Sequence, residues 1–345
     1  MGRRVFLLTA AAVAALAACS GGGAESETPK VGFVVANSRL NFATEMSDGF
    51  RTGVQQVGGV EEVVTGPPIV DGPKQLQMFE ELANETQDGI SVFTLSPDLF
   101  AAPLAEAVEE GIPVIAVDNQ PPPSSNVTLF VGNDNYELGQ MLADEVIAEL
   151  PAGAKGKIVV GNNSPGVPVL DQRAKGIRDR LRTKLPGVSV VGPYDTKQDV
   201  AANLVAWRTL ARANPNALAF LGTGDADGWN LAQLRRETRG KWFAGAFDLD
   251  PKALQAVKDG DLVLVSPEHF VKGAIAGRLQ AQHAKDGTPL PAGWIYTPGL
   301  AVTKANVDSI MARQASLEAK EDYFIPLVGK ILGDPSHLRP LDQAR

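Results

Sequence analysis

From Lys30 onward the chain alternates short, continuous apolar runs with longer stretches of helical period. The runs are VGFVVA (31–36), ISVFTL (90–95), PVIAV (113–117), KIVV (157–160), ALAFLG (217–222), WFAGAF (242–247) and LVLVS (262–266). Each is four to six residues long, rich in β-branched and aromatic residues, and bounded by Gly, Pro, Asn or Asp. Such runs read as strands. Their apolarity is continuous rather than alternating, which suits strands covered on both faces. Between them, Leu138, Leu142, Val146 and Leu150 recur every fourth residue, as on one helix face. Asp199–Asn214 is a second helix, capped at Asp199 and stopped by Pro215. A third is expected over Val307–Lys320. Strand–helix–strand alternation predicts an α/β fold of parallel sheets with helices on both faces. The pattern runs twice, over 30–131 and 157–266, with PAGAKGK (151–157) as the joint. Two similar lobes are therefore expected, with a cleft between them.

The strand ends share a polar character. Asn37 follows the first run, Ser96 the second, and Asp118-Asn119 the third; LFVGND ends on Asn133-Asp134, and KIVVG leads to Asn162-Asn163. Asp225, Asp248, and Ser266 with Glu268 close the remaining runs. Any one of these could simply cap the next helix. Capping does not explain why Asp118 is followed by Asn-Gln and three prolines rather than a helix, or why almost every strand end is polar. In open parallel sheets, ligands sit beyond the carboxyl ends of the strands. A rim of carboxylates and amides without metal-ligand spacing is a hydrogen-bonding surface: Asp accepts hydroxyl protons in charge-assisted bonds, and Asn both donates and accepts. Polyhydroxy compounds need that mixture, because every buried hydroxyl must be partnered. SRLNFATEM adds Arg39, Asn41 and Phe42; the Phe42 ring suits the C–H face of a sugar or a contact between helices. Arg173, in DQRAKGIRD, can fork onto two ligand oxygens or pair with Asp171. Neither a cofactor nor a metal is expected.

Composition narrows the classes. The 345 residues are 44% hydrophobic and 21% charged, ordinary for a globular protein, and the formal charge of −8 disfavours nucleic acid as a partner. The first residues stand apart. Arg3 and Arg4 precede the mostly apolar run Val5–Ala18, too short for a comfortable membrane span but suited to an export signal. Leu16-Ala17-Ala18-Cys19 resembles the bacterial lipobox, in which the cysteine after the cut carries lipid; Cys19 is also the only cysteine. Residues 1–18 are expected to be a signal peptide and 19–29 a flexible tether. The mature protein is then a monomer held outside the membrane by lipidated Cys19.

Several stretches, taken in order, carry a resemblance: Asp48-Gly49-Phe50, IPVIAVDN, GNDNYELG, Arg173-Ala174-Lys175-Gly176, ANPNALAFLGTGD, GAFDLD and DGDLVLVSPE. The chain from about Lys30 to Thr303 resembles the periplasmic sugar-binding proteins of the ribose-binding type, the receptors of bacterial ABC importers. The resemblance implies two Rossmann-like lobes with parallel sheets, joined by three hinge crossovers, closing over a ligand in the cleft between them and then docking on a membrane permease. It places residues 30–132 with 268–298 in the first lobe, and 133–267 with 299–345 in the second. It also implies that Asp118, Arg173 and Asp248 hold sugar hydroxyls and that Phe42 stacks. Asn37, Arg39, Asn41, Asn119, Asp134, Asp225 and Glu268 complete the expected site. Four positions depart from the ribose pattern: Asn119 replaces an arginine, Gly224 an asparagine, Glu268 a glutamine, and Gln198 a second stacking aromatic. These changes turn the expectation from ribose to another neutral monosaccharide or a polyol. The same fold could also hold a nucleoside, a quorum signal or another small polar molecule, or serve a chemoreceptor. A catalytic reading finds little support: the three histidines have no metal-ligand spacing, and GTGDADG misses the dinucleotide fingerprint by one residue. A sugar-responsive repressor would need a DNA-binding module where the signal and tether lie. The segment after Thr303 has no assigned role.

Overall fold

The computed structural model describes Gly2 and residues 28–345. The expected signal and Cys19 lipidation site lie outside the described residues. Along the chain the first elements are β1 (Lys30–Val34), α1 (Asn41–Val57), β2 (Glu61–Thr65), α2 (Gly72–Glu85), β3 (Ile90–Val92), α3 (Pro97–Glu109), β4 (Val114–Val117) and β5 (Leu129–Gly132). They are followed by α4 (Asn135–Glu149), β6 (Gly156–Asn162), α5 (Pro168–Lys184), β7 (Val188–Asp195), α6 (Val200–Ala213), β8 (Ala217–Leu221), α7 (Asp225–Thr238), β9 (Phe243–Phe247), α8 (Pro251–Asp259) and β10 (Val263–Ser266). The last are α9 (His269–Asp286), β11 (Gly293–Tyr296), β12 (Leu300–Val302), α10 (Val307–Arg313), α11 (Leu317–Gly333) and β13 (Leu338–Arg339).

These strands form two sheets, in the orders β13-β11-β5-β4-β3-β1-β2 and β12-β10-β9-β8-β6-β7. Both are parallel apart from β13 and β12, each antiparallel to its neighbour. Counted within each lobe, the first five strands lie in the order 2-1-3-4-5 both times, so the repeated sequence pattern is a repeated topology. Each sheet is covered on both faces, with apolar clusters built around Phe33, Phe50 and Phe270 and around Phe79, Phe100 and Trp294 in the first lobe. Trp207, Phe220 and Leu264, and Leu142, Ile177 and Phe247, do the same in the second. Local signals set the helix starts. Asp71 accepts from the Lys74 N–H (3.0 Å) and Asp199 from the Ala202 N–H (2.9 Å), each satisfying a donor that the first helical turn leaves free.

One helix pair in each lobe packs through glycine. A Cβ on Gly273 of α9 would lie 1.9 Å from the Met46 carbonyl oxygen of α1, and one on Gly49 would lie 2.1 Å from that of Phe270. In the second lobe, Gly176 of α5 meets the Tyr136 carbonyl at 2.1 Å in the same way. Gly49 and Gly176 thus serve backbone approach, and the α1–α9 contact fixes where α9 begins.

Three expectations change. α4 packs on α5, β9 and β10, so the chain leaves the first lobe at Asn133-Asp134, and the PAGAKGK joint read from the repeated pattern, not the division at 132/133, is what changes. The helix expected over Val307–Lys320 is two helices, because the Ser316 hydroxyl caps a new one by accepting from the Ala319 N–H (3.1 Å). The segment after 299 does not stay in the second lobe. α10 lies against α8, but α11 packs on α9 and β13 pairs with β11 in the first sheet, making a fourth crossing beside the three between the sheets.

Gly273→Ala is expected to cost about 1–3 kcal/mol in urea unfolding, the usual penalty for overpacking. Gly329→Ala, in α11 with nothing within 4 Å of the added carbon, should instead gain about 0.5–1 kcal/mol from helix propensity.

Candidate functional site

The carboxyl ends of both sheets face each other across the lobe junction. Asp118 follows β4 with φ 64°, and its N–H donates to the Val131 carbonyl (2.9 Å). Asp248 follows β9 with φ 75°, and its N–H donates to the Val265 carbonyl (3.1 Å). Glu268, at the start of α9, has φ 55°. Left-handed backbone is uncommon for residues other than glycine and concentrates at functional sites. Here three strand-end acids adopt it.

Between the lobes lies a narrow cavity of about 30 Å³, room for a water or two until the lobes part. Its first-lobe wall is Phe42, Phe93, Leu95, Asp118 and His269. Its second-lobe wall carries Asn163, Val169, Leu170, Arg173, Gln198, Gly224, Asp225 and Asp248. Phe42 and Phe93 meet edge to face at 5.7 Å, presenting an aromatic corner. Three buried acceptors on the opposite wall have no protein partner: Asn163 Oδ1, Gln198 Oε1 and Asp225 Oδ1.

A chain of polar contacts crosses from one lobe to the other. The Lys272 ammonium, fully buried in the first turn of α9, pairs with Asp118 Oδ1. It also lies 3.2 Å from His269 Nδ1. An ammonium only donates, so Nδ1 accepts and Nε2 carries the proton, which it donates to Asp248 Oδ1 at 2.9 Å. Burial alone would raise the Asp118 pKa, but Lys272 first, then the neighbouring His269 and Arg173, hold it down at about 2. Burial pulls the Lys272 pKa down against the pull of Asp118. Asp225 is driven the other way: burial, then the carboxylates of Asp248, Asp250 and Asp227, raise its pKa well above the usual range. Arg173 lies across the Phe247 ring at 4.6 Å and donates to Asn135 Oδ1 and the Thr223 carbonyl, both at 3.0 Å.

Five of the expected residues thus meet at one cavity: Phe42, Asp118, Arg173, Asp225 and Asp248. Six others are engaged elsewhere. Asn37 Oδ1 accepts from the N–H groups of Arg39 (2.7 Å) and Leu40 (2.9 Å), forming the turn before α1, and Arg39 itself points to solvent. Asn41 faces a smaller adjoining cavity with Glu45 and Glu268. Asn119 donates to the Thr94 carbonyl (2.6 Å). Asp134 caps α4 and takes the Arg345 guanidinium (2.8 Å), and Glu268 takes that of Arg313 (2.6 Å). Pairing of Arg173 with Asp171 does not occur, because Asp171 accepts from Asn162 and the Gly166 N–H. In GTGDADG the two acids divide the work. Asp227 accepts from Thr196, Asn203, Trp207 and two loop amides, which leaves Asp225 toward the cavity. Phe93, His269 and Lys272 are additions. The one signal for Lys272 was a lone charge inside the apolar run HFVKGAIAG.

Residues 31–288 match the family described as periplasmic binding protein domain. The chain belongs to that family. This periplasmic binding protein is 25% identical over 259 residues to the D-allose-binding periplasmic protein of Escherichia coli, covering 72% of this chain and 83% of the relative. It is 28% identical over 305 residues to the xylitol-binding protein of Mycolicibacterium smegmatis, covering 85% and 83%. Its fold matches that of an ABC transporter solute-binding protein from Agrobacterium vitis bound with α-D-tagatopyranose. That match has a TM-score of 0.76 and 21% identity over 83% of this chain and 98% of the other. A second match, from Actinobacillus succinogenes with bound D-allose, has a TM-score of 0.74 and 19% identity over 81% and 99%. The family places the protein outside the cytoplasm, and among the described residues no helix is long and apolar enough to cross a membrane.

Two substitutions test these electrostatics. Asp225→Asn removes a buried carboxylate among like charges. The ligand-free variant should be about 1–3 kcal/mol more stable than the wild type near pH 8. A raised folded pKa favours the protonated native form, so the gap should shrink as pH falls toward 4. Lys272→Met strands Asp118 and should cost about 3–5 kcal/mol at neutral pH. The depressed Asp118 pKa stabilises above about pH 4 and is lost toward pH 2, so the variant's stability should lack that acid limb.

Proposed function

We propose that this protein is the solute-capturing component of an ABC importer and that its solute is a neutral monosaccharide or polyol. The observation that carries the reading is the wall of three unpartnered acceptors, Asn163, Gln198 and Asp225, facing the aromatic corner of Phe42 and Phe93 across one cavity. A polyhydroxy ring or chain has donors for the first wall and C–H groups for the second. Charge balance argues for neutrality. Lys272 offsets Asp118, the neutral His269 only donates to Asp248, and with Asp225 kept from easy ionisation the Arg173 charge is left to offset that of Asp248. The names of the allose- and xylitol-binding relatives agree with this class.

In this account the open form is tethered outside the membrane as a monomer by lipidated Cys19. Solute bound to both walls favours the closed form only because it binds that form more tightly. The closed form then docks on a permease, whose ATPase partner supplies the work.

A thermal-shift screen of the chain from Glu25 onward tests the class, with pentoses, hexoses, linear polyols, nucleosides and amino acids. A ligand at 100 times its dissociation constant stabilises the fold by about 2.7 kcal/mol, which a melting curve resolves. A shift with one sugar or polyol is the expected result. A shift with a nucleoside or amino acid alone would keep a receptor but reject this ligand class.

A further inference from the structure

Residues 304–345 have no part in the capture described above, yet they touch both lobes and end beside the hinge. After α10 and α11, the first sheet gains β13, and Arg345 comes to rest against α4. The Asn135 N–H donates to the Arg345 carbonyl at 2.7 Å, and the Arg345 guanidinium lies 5.1 Å from the Tyr136 ring centre.

Two arginines of this segment reach toward the cavity through one intermediary each. Arg313 Nη2 holds Glu268 Oε1 at 2.6 Å, with both side chains 6% exposed. Glu268 sits in its left-handed conformation directly before His269, the residue that bridges to Asp248. The Arg345 guanidinium holds Asp134, the residue before Asn135, and Asn135 Oδ1 accepts from Arg173 Nε at 3.0 Å. The carboxylates so captured, Glu268 and Asp134, are both strand-end acids of the kind that elsewhere face the cavity. Arg313 is itself fixed, with its guanidinium 4.6 Å from the Tyr323 ring centre and 5.0 Å from that of Phe324. Phe324 in turn stacks on Phe270, the neighbour of His269, at 5.1 Å. A guanidinium held against two rings has little freedom left to lose when it meets a carboxylate.

We infer that residues 304–345 are a positioning element of the cleft: Arg313 acts through Glu268 on the adjoining His269, and the Arg345 guanidinium acts through Asp134 on the adjoining Asn135 and so on Arg173. Neither arginine touches the solute. The inference rests on the reading that the cavity holds a solute, though not on which one.

The test uses Arg313→Met, Arg313→Lys and Arg345→Met in the chain from Glu25 onward. The probe is whichever of D-allose, D-arabinose, D-tagatose and xylitol most stabilises the wild type. Each methionine variant should bind it about tenfold more weakly by calorimetry, the scale of coupling between neighbouring groups. Arg313→Lys should recover part of that loss. Arg345, whose side chain is 58% exposed, should leave the ligand-free melting point nearly unchanged when replaced. A ligand-free readout separates this inference from the solute reading. The chain has three histidines, so their ring resonances can be resolved. Arg313→Met should move the His269 signal and leave that of His283 in place. If none of the four probes binds the wild type, the resonance decides alone. Wild-type affinity in both methionine variants, or an unmoved His269 signal, would overturn the inference.

Discussion

The cleft depends on one buried charge. Lys272 has no exposure to water, and an unpaired ammonium there would cost several kcal/mol. It is tolerated because β4 ends on Asp118, whose left-handed backbone brings its carboxylate to the first turn of α9. That pair fixes the first-lobe wall. His269, one turn earlier on the same helix, carries the network on to Asp248 at the end of β9. Four side chains from β4, α9 and β9 thus form one continuous polar path between the lobes. α9 can occupy this place only because Gly273 and Gly277 let it sit against the backbone of α1. Close helix packing at one end of the lobe and ligand chemistry at the other are therefore set by the same element.

The repeated topology explains why the site is polar on both sides. A 2-1-3-4-5 parallel sheet sends its strand ends toward one edge, and two such sheets face to face bring two polar rims together. The rims are not equivalent. The first lobe supplies aromatic rings and a neutralised carboxylate. The second supplies unpartnered amide oxygens, Arg173 and an Asp225 kept from easy ionisation by burial and by its acidic neighbours. Stability is given up at Asp225 for a group that a donor-rich solute can satisfy, a common exchange at binding sites.

How much of this could be read from the chain follows from the range of each interaction. β1, β3, β4 and β6 announce themselves because burial on both faces makes them continuous apolar runs. β2 (EEVVT) and β7 (VSVVGPYD) are edge strands of mixed polarity, and local pattern does not separate them from loop. Asp118 and Asp248 were visible as acids at strand ends, and so were Asp134 and Glu268. What distinguishes the two pairs is a partner elsewhere: Arg313 lies 45 residues from Glu268, and Arg345 lies 211 from Asp134. Sequence pattern shows that a group is polar and near a rim. It does not show that a distant arginine has already claimed it. Lys272 was obscured for the opposite reason, since a lone lysine in an apolar helix usually snorkels to the surface.

The central claim is that a solute joins two lobes that otherwise meet through a few polar contacts. Its most direct test is the distance between them. The only cysteine is Cys19, so the chain from Glu25 onward can carry spin labels at Asp98→Cys in the first lobe and Val205→Cys in the second, both exposed positions. Pulsed electron–electron resonance, with and without a solute whose binding calorimetry has established, reads the separation. The account predicts a broad distribution that narrows and shortens when solute binds. An unchanged distribution at saturating solute would contradict it.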